Sequence, residues 1–356
     1  MARTEYDVAI ISDFRFTGGN SSGIVEEVKA QSATGYSTAL IHMPAHILRK
    51  DREFHPGILD IVKTGKADLL PLDQPVRARL LQIRHPSVFQ RLPVKRPQVE
   101  ADVKILVANS CPMNRDCSRM EYSVNPVQTA LEAVFGDTVQ WAPESPFIRE
   151  ALIRTGWRIR MMPDDWYEIL DPADWTCERS RFVADRPVIG RHSRPDPQKW
   201  PDTAEDILAA YPDDERFIVR ILGGSTAPEA IIGRRPANWD VREFGAMPSR
   251  EFLCGIDFFV YYHHPALVEA FGRTVLEAIS SGAVAILPPS FEKLFREAAI
   301  IAQPGEVRDI VLRLYRDKPA YRAQSERGRK YALQHFSHQT HVARLSKLIG
   351  PPSPTA

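Results

Sequence analysis

Two carboxylates, Glu269 and Glu277, stand eight positions apart around a Phe-Gly pair, in Glu269-Ala270-Phe271-Gly272-Arg273-Thr274-Val275-Leu276-Glu277. An apolar, β-rich run from Ile256 to Tyr262 precedes them. A helical run from Leu276 stops at Gly282, and a second apolar run, Val284 to Pro289, follows. The pattern reads as strand, loop, helix, strand, with Glu269 in the loop at the carboxyl end of a strand and Glu277 about a turn and a half into the helix. The first N–H groups of such a helix lack intrahelical partners and the helix dipole adds partial positive charge, so the loop is a ready anion site. Two acids flanking an anion site cannot both be phosphate ligands. They suit neutral polyols on either side of a phosphate, such as a sugar and a ribose, which is the layout a nucleotide-diphosphate sugar requires.

The elements that must position these groups are legible in outline. The 356 residues exceed one ordinary core. An apolar content of 44% and a charged content of 26% are those of a globular protein. A formal net charge of +1 gives no global argument for nucleic acid. No run approaches the roughly 18 apolar residues of a spanning helix, and the N-terminus lacks a secretory apolar region, so a cytoplasmic location is expected. Cys111, Cys117, Cys177 and Cys254 are too few and too scattered to predict a disulfide framework.

Short apolar strands are expected at 7–12, 38–42, 78–83 and 104–108, with a glycine-rich turn at 18–23 and a helix over 24–33. A second series is expected at 187–190, 217–222, 257–262, 284–287 and 299–301, with helices at 248–255, 306–317 and from Pro319 to His335. Strands alternating with helices predict parallel sheets. The Asp-, Trp- and Pro-rich stretch 164–187 reads as the crossing between two domains, and the tail 351–356 as disordered. Two doubly wound α/β domains facing a central cleft are therefore expected: 1–170, joined by 336–356, and 186–335. Ligands bind at the carboxyl ends of such sheets.

The stretch from Asp257 to Pro289 resembles the donor-binding core of GT-B glycosyltransferases, specifically the retaining family 4 (GT4, glycosyl transferases group 1). That family's pattern is Glu-x-Phe-Gly, four residues, a second Glu, then Ala, an apolar residue and a small-Gly pair. It is matched here by Glu269-Ala270-Phe271-Gly272 and Glu277-Ala278-Ile279-Ser280-Ser281-Gly282. Gly190-Arg191-His192-Ser193-Arg194 followed by Lys199 resembles the family's diphosphate-holding Arg and Lys, at a longer spacing that makes Arg194 a substitute for Lys199. Gly18-Gly19 after the first strand resembles the glycine loop beside the acceptor and the reacting phosphate. His335-Phe336-Ser337-His338 resembles the segment where the last helix crosses back to the N-terminal domain. The usual Gly-x-Pro-Val run is Gly282-Ala283-Val284-Ala285 here. The donor half is covered almost end to end, the N-terminal half only in outline.

The resemblance implies roles residue by residue. Glu269 meets the donor sugar hydroxyls, Glu277 the ribose hydroxyls, and Arg191 and Lys199 the pyrophosphate, whose charge grows as the glycosidic bond breaks. Phe271, Gly272, Arg273 and Thr274 offer backbone N–H groups to the distal phosphate, with Arg194, Gly223 and Gly224 also on the donor side. His85, at the end of an N-terminal strand, lies near the donor sugar or is a capping histidine. Gly18, Gly19, Asn20 and Asp13 form the acceptor and phosphate loop, and Arg15 is a weaker candidate there. The plainer reading of each acid or cation is a solvated surface charge. No Asp-x-Asp pair stands in a site-like context, and cations already serve the phosphates, so transfer without a metal or other cofactor is expected. His263-His264 point to opposite faces of an extended strand, and Cys111 and Cys117 lack zinc-ligand spacing.

The segment 77–96 carries Arg77, Arg79, Arg84, Arg91, Lys95 and Arg96 and no acid. It is a solvated face, or, as in the family, a peripheral contact with anionic membrane on its inner side or with a lipid-phosphate acceptor. A dinucleotide oxidoreductase is disfavoured, because Gly18, Gly19 and Gly23 have the wrong spacing and the second strand ends in His42-Met43 with no acid. The expectation is a retaining, metal-independent, bacterial hexosyltransferase. It would use a nucleotide-diphosphate sugar, UDP-sugar by family frequency, and a hydroxyl acceptor that is a glycan, lipid-linked or small-molecule natural product. The alternatives are a nucleotide-sugar epimerase of the same fold and an inactive binding scaffold.

Overall fold

The computed structural model describes residues 4–48 and 51–354. Two compact units emerge from its contacts. One comprises the chain through Leu170, the short segment Val268–Phe271 and the chain from Ser337 on; the other comprises Asp171–Leu267 and Gly272–Phe336.

In the first unit the chain runs β1 (Glu5–Ser12), α1 (Gly19–Ala33), β2 (Thr38–His42), α2 (Pro56–Lys63), β3 (Asp68–Leu70), β4 (Val76–Arg84), β5 (Val99–Ala108), α3 (Val124–Phe135), β6 (Gln140–Pro143) and α4 (Pro146–Arg154). The sheet is wholly parallel, in the order β3-β2-β1-β4-β5-β6. Both of its faces are covered, so its central strands read as unbroken apolar runs. Alternate residues of β1 serve opposite cores. Val8 and Ile10 pack with Ile24, Val28, Ile58 and Ile61, and Ala9 and Ile11 belong to the cluster of Val127, Leu131, Ile148 and Leu152.

The second unit runs α5 (Pro172–Trp175), β7 (Val188–His192), α6 (Ala204–Ala210), β8 (Ile218–Leu222), α7 (Thr226–Ile232), β9 (Trp239–Arg242), α8 (Ser249–Cys254), β10 (Phe258–Val260), α9 (Arg273–Ser281), β11 (Val284–Leu287), α10 (Glu292–Phe295), β12 (Ile300–Ile301), α11 (Val307–Arg316) and α12 (Lys318–His335). Its parallel sheet is ordered β12-β11-β10-β7-β8-β9. This is the topology of the first sheet, since each reverses its winding beside its own first strand. The carboxyl ends at the reversal, β1 with β4 and β7 with β10, are where such sheets leave a crevice for ligands. The final helix, α13 (His338–Ile349), returns to the first unit.

Several expectations are corrected. The glycine run 18–23 is not a turn: α1 already begins at Gly19. Strands β3, β6 and β9 were not expected, being short. Cys177 and Cys254 are joined by a disulfide across 77 residues, where no pairing was expected. Beside it Arg179 donates to the carbonyls of Leu253, Ile256 and Ser281. The tail is anchored rather than loose: Arg79 donates to the Pro351 carbonyl, and Ser353 donates to Asp7 through N and Oγ. Thr355 and Ala356 lie outside the described residues.

The basic segment does not form one face, because strand alternation divides it. Arg84 is buried, Arg79 pairs with Asp7 at 3.1 Å and Arg77 with Asp102 at 3.4 Å. Arg91, Lys95 and Arg96 remain exposed in the loop after β4, next to exposed Leu92 and Val94.

Candidate functional site

In the second unit the site is built at the start of α9. Gly272 precedes the helix at φ +92°, a left-handed conformation that glycine adopts without cost, and a Cβ there would come within 3.0 Å of the Phe291 ring. The first helical bond runs from Val275 N to the Gly272 carbonyl, so the N–H groups of Arg273 and Thr274 precede the intrahelical ladder. No acid occupies the first turn. Arg273 is half-buried and its Nε donates to Glu277 Oε1 at 3.1 Å, one helical turn on. Glu277 is 7% exposed, and its other oxygen stands 3.5 Å from Nε2 of His192, the last residue of β7.

His192 was not singled out by the sequence. Its signal was only its place beside Arg191, and strand alternation sends the two side chains to opposite faces. Its ring meets Phe252 and Phe259 edge-on at 5.9 and 5.7 Å. Burial, reinforced by the Arg191 charge, lowers its pKa to about 3, so the imidazole is neutral and its approach to Glu277 is not an ion pair.

Arg191, expected at the diphosphate, is fully buried. It donates to Tyr211 Oη at 2.8 Å, to the Tyr262 carbonyl at 2.9 Å and to the Lys199 carbonyl, and it lies 3.9 Å over the Trp200 ring. Its guanidinium is engaged in fixing the loop from Ser193 to Lys199 against the end of β10. The cations that loop presents are Arg194, exposed, and Lys199, half-buried. Gly223, at φ +126°, allows the end of β8 to close on the same loop, since a Cβ would fall 1.9 Å from the Ser193 carbonyl oxygen. Gly223 and Gly224 both donate N–H to the Arg242 carbonyl. Glu269 and Phe271 lie in the segment that belongs to the first unit, where Val268 joins the apolar core and the Phe271 ring lies 6.3 Å from Tyr167. Glu269 is half-buried and Phe271 buried.

In the first unit the ends of β1 and β4 carry Asp13 and His85. Asp13 is buried, paired with Arg15 through Nε and Nη2 at 2.9 and 2.6 Å, and accepts from Ala45 N at 2.7 Å. Burial opposes its ionisation, but these bonds outweigh it and hold the carboxyl below the usual range. It braces two loops, and no ligand role is needed to explain it. His85 adopts φ +75°, unusual for a residue with a side chain and of the kind that clusters at functional sites. Its ring stacks on Phe16 at 4.4 Å, and Nδ1 accepts from Ser87 N at 3.3 Å, which leaves the proton on Nε2. Burial, with Asp13 opposing and Arg84 assisting, lowers its pKa to about 4, so His85 presents a neutral N–H donor.

Asn20 is fixed by Ser12 Oγ at 3.1 Å and Asn109 at 2.7 Å. A Cβ on Gly19 would stand 3.0 Å from Glu168 Oε1, and one on Gly23 2.9 Å from Arg84 Nη2, whereas Gly18 borders open space. Gly19 and Gly23 thus let α1 lie directly on a buried charge cluster. Arg84 meets Glu27 at 2.7 Å and Glu144 at 3.3 Å there, and Gln82 and Trp166 donate to Glu27. Among the described residues no group of three or more His, Cys, Asp or Glu is arranged to hold a metal ion.

No protein-family model matches this sequence, and no curated protein matches it. Solved structures do. Anabaena HepE, in complex with UDP and glucose, is 11% identical with a TM-score of 0.68, over 97% of this chain and 99% of its own. It is also known in complex with UDP-glucose. A glycosyltransferase from Rickettsia africae is 13% identical at a TM-score of 0.61, over 97% and 99% of the two chains. AviGT4, a glycosyltransferase involved in avilamycin A biosynthesis, is 13% identical at 0.59, over 97% of each chain. The two-sheet α/β layout of the chain is that of these glycosyltransferases, the GT-B fold.

Proposed function

We propose that this chain is a retaining, metal-independent glycosyltransferase of the GT4 type. It would move a hexosyl-type group from a nucleoside-diphosphate sugar, with uridine favoured, to a hydroxyl acceptor. The observation that carries the reading is the start of α9: a left-handed glycine, N–H groups ahead of the helical ladder, and a carboxylate one turn on that Arg273 already orients. That arrangement suits a phosphate at the helix N-terminus with a ribose diol beyond it. The UDP and UDP-glucose bound by HepE support the same donor class.

In this reading Arg194, Lys199 and Arg273 would meet the growing charge on the leaving diphosphate, and the reading does not require a second charge source such as a metal. His85 donates Nε2–H to a donor-sugar oxygen, and Glu269 accepts from its hydroxyls. Retention follows if the acceptor attacks the face from which the diphosphate departs and the leaving phosphate oxygen takes its proton. The acceptor is a glycan, a lipid-linked or a small-molecule hydroxyl. An anionic membrane or lipid-phosphate contact would use Arg91, Lys95 and Arg96 rather than the whole segment 77–96.

The test is a thermal-shift panel of UDP, GDP, ADP and their sugars, with and without chelator. A shift with one nucleotide that survives chelator supports the reading, and loss of that shift on chelation overturns its metal-free part. No shift with any nucleotide moves weight to an inactive scaffold. A nucleotide sugar converted without transfer to any acceptor identifies an epimerase.

A further inference from the structure

Helix α12 of the second unit carries a polar groove that the reading above does not use. Arg327, Lys330, Tyr331 and Gln334 line one side and Glu297 the other, around a volume of about 550 Å³. The four α12 residues fall on one face of the helix, over about 10 Å of its length. The opposite wall is the turn Arg296–Ala298 that follows α10. α12 holds this wall closely. Gln324 Nε2 donates to the Glu297 carbonyl at 3.0 Å and Tyr331 Oη to the Leu294 carbonyl at 3.1 Å. A Cβ on Gly328 would stand 3.0 Å from the Ala298 carbonyl oxygen. Arg296 enters the turn at φ +42° and ψ −128°. A side chain rarely adopts that backbone, which persists only where the surroundings over-determine it. The wall is therefore preformed.

The charges on the groove are not matched within the protein. Among the described residues no carboxylate lies within ion-pair distance of Arg296, Arg327 or Lys330, and no cation within that distance of Glu297. Elsewhere on this unit Arg216, Arg234 and Arg235 each meet a carboxylate. Arg327 donates to Gln324 Oε1 at 3.0 Å, which leaves most of its five donors unused. Arg296 and Glu297 act in opposite directions on the Tyr331 hydroxyl, so both stand near it. Cations and an acid thus border one space without touching. Its volume is that of a small-molecule site, but its lining is polar, which disfavours an apolar ligand. Several cations suit the several oxygens of a phosphate. A carboxylate that only accepts suits hydroxyls.

We propose that this groove is a second ligand site, for the phosphate monoester of a small polyol: Arg327 and Lys330 hold the phosphate, and Glu297 and Gln334 take the hydroxyls. No lining residue belongs to the donor site proposed at the start of α9, so the two assignments stand or fall separately.

The experiment is calorimetric titration of the full chain at low ionic strength with glucose 1-phosphate, glucose 6-phosphate, glycerol 3-phosphate, glucose and inorganic phosphate. Wild type is expected to bind at least one of the esters with a Kd on the order of 1 mM or tighter. Inorganic phosphate should bind at least about 3-fold more weakly, and glucose not measurably. Joint replacement Arg327→Ala and Lys330→Ala is expected to weaken ester and inorganic phosphate alike by about 10-fold or more. Glu297→Ala removes the hydroxyl acceptor and also a negative charge close to the phosphate. It is expected to weaken the ester about 3- to 10-fold and to leave inorganic phosphate unchanged or tighter. The substituted side chains are exposed, so the variants should melt with the wild type. Absence of binding by every ester up to about 10 mM overturns the site. Binding that survives the Arg327 and Lys330 replacements overturns it as well, by placing the phosphate elsewhere on the chain. Equal affinity for ester and inorganic phosphate, or an equal loss of both in Glu297→Ala, overturns the polyol ester as its ligand.

Discussion

Glu277 is held by Arg273 in the structure, so if it meets the ribose as proposed, its removal should act on binding rather than on bond breaking. Charge-assisted contacts of a carboxylate with hydroxyls are worth roughly 1.5–3 kcal/mol, and a ribose contact is the same in ground and transition states. Glu277→Ala is therefore expected to raise the donor KM about 10- to 100-fold with kcat nearly unchanged, and steady-state kinetics would check it. Arg191 in β7 and Lys199 in the loop after it should separate from one another. Arg191 is sealed under Trp200 with the carbonyls of Tyr262 and Lys199 as partners. Arg191→Ala leaves those groups buried and unpaired and is expected to cost about 3 kcal/mol or more of stability. Lys199→Ala should cost less stability than Arg191→Ala and lower kcat, if Lys199 serves the diphosphate. Melting curves beside kinetics decide it; a stable Arg191→Ala with the larger kcat loss would return Arg191 to the diphosphate. Residue type and spacing pointed to both acids and to the Arg–Lys pair. They could not reveal which way each side chain turns at the end of β7, because that depends on Trp200, Tyr211 and Tyr261, which lie 9 to 70 positions away.

At the scale of elements, the start of α1 carries the clearest departure from what the sequence suggested, and α13 is the helix that packs on α1. Three polar pairs join them: His338 with Glu26 at 2.8 Å, His341 with Gln31 at 3.0 Å and Arg344 with Glu27 at 3.7 Å. Glycines normally weaken a helix, which is why 18–23 reads as a turn. Here the close approach of Arg84 requires one, and that contact comes from a strand some 60 residues away. Gly23→Ala should thus be destabilising by about 1–3 kcal/mol despite alanine's better helix propensity, measurable by denaturant unfolding. The same cluster sets an acid limit. Burial works against ionised Glu27, yet Arg84, His341, Arg344 and Gln82 together lower its pKa to about 2, from 4.5. A depressed carboxyl contributes stability that is fully present above the unfolded value and is lost as pH falls through the folded one. Stability is therefore expected to decline by an amount of order 3 kcal/mol between roughly pH 4.5 and 2. Glu27→Gln should flatten that part of the profile, and a variant profile as steep as wild type would place the acid lability elsewhere.

For the molecule as a whole, the architecture was legible because buried parallel strands write themselves as apolar runs. β2 and β11 begin and end where the pattern places them. The strands that escaped, β3, β6 and β9, are three or four residues long and form sheet edges; exposed residues blur the signal in β3 and β9, while β6 is largely buried but is only four residues long and ends in Pro143. The covalent link escaped for a different reason. Cysteine spacing says little about pairing when the loop spans 77 residues, and Cys177 lies in a segment with no regular pattern. In the structure that segment is the start of the second unit. The bond ties it to the end of α8, and Arg179 and Arg329 tie it again to the Ser281 carbonyl at the end of α9. Cross-linking across such a loop removes chain entropy from the unfolded state, about 4 kcal/mol in the loop-closure account. Because the two arginines still hold the segment once the bond is cut, the native geometry of α9 should survive reduction and the cost should appear in unfolding. Cys254→Ser, or wild type under a dithiol reductant, is accordingly expected to melt on the order of 10 °C lower while binding nucleotide with unchanged affinity. Lower affinity in the reduced protein would mean that the bond, rather than the arginine contacts, holds α9 in register. An unchanged melting temperature would mean that the oxidised protein does not carry the cross-link.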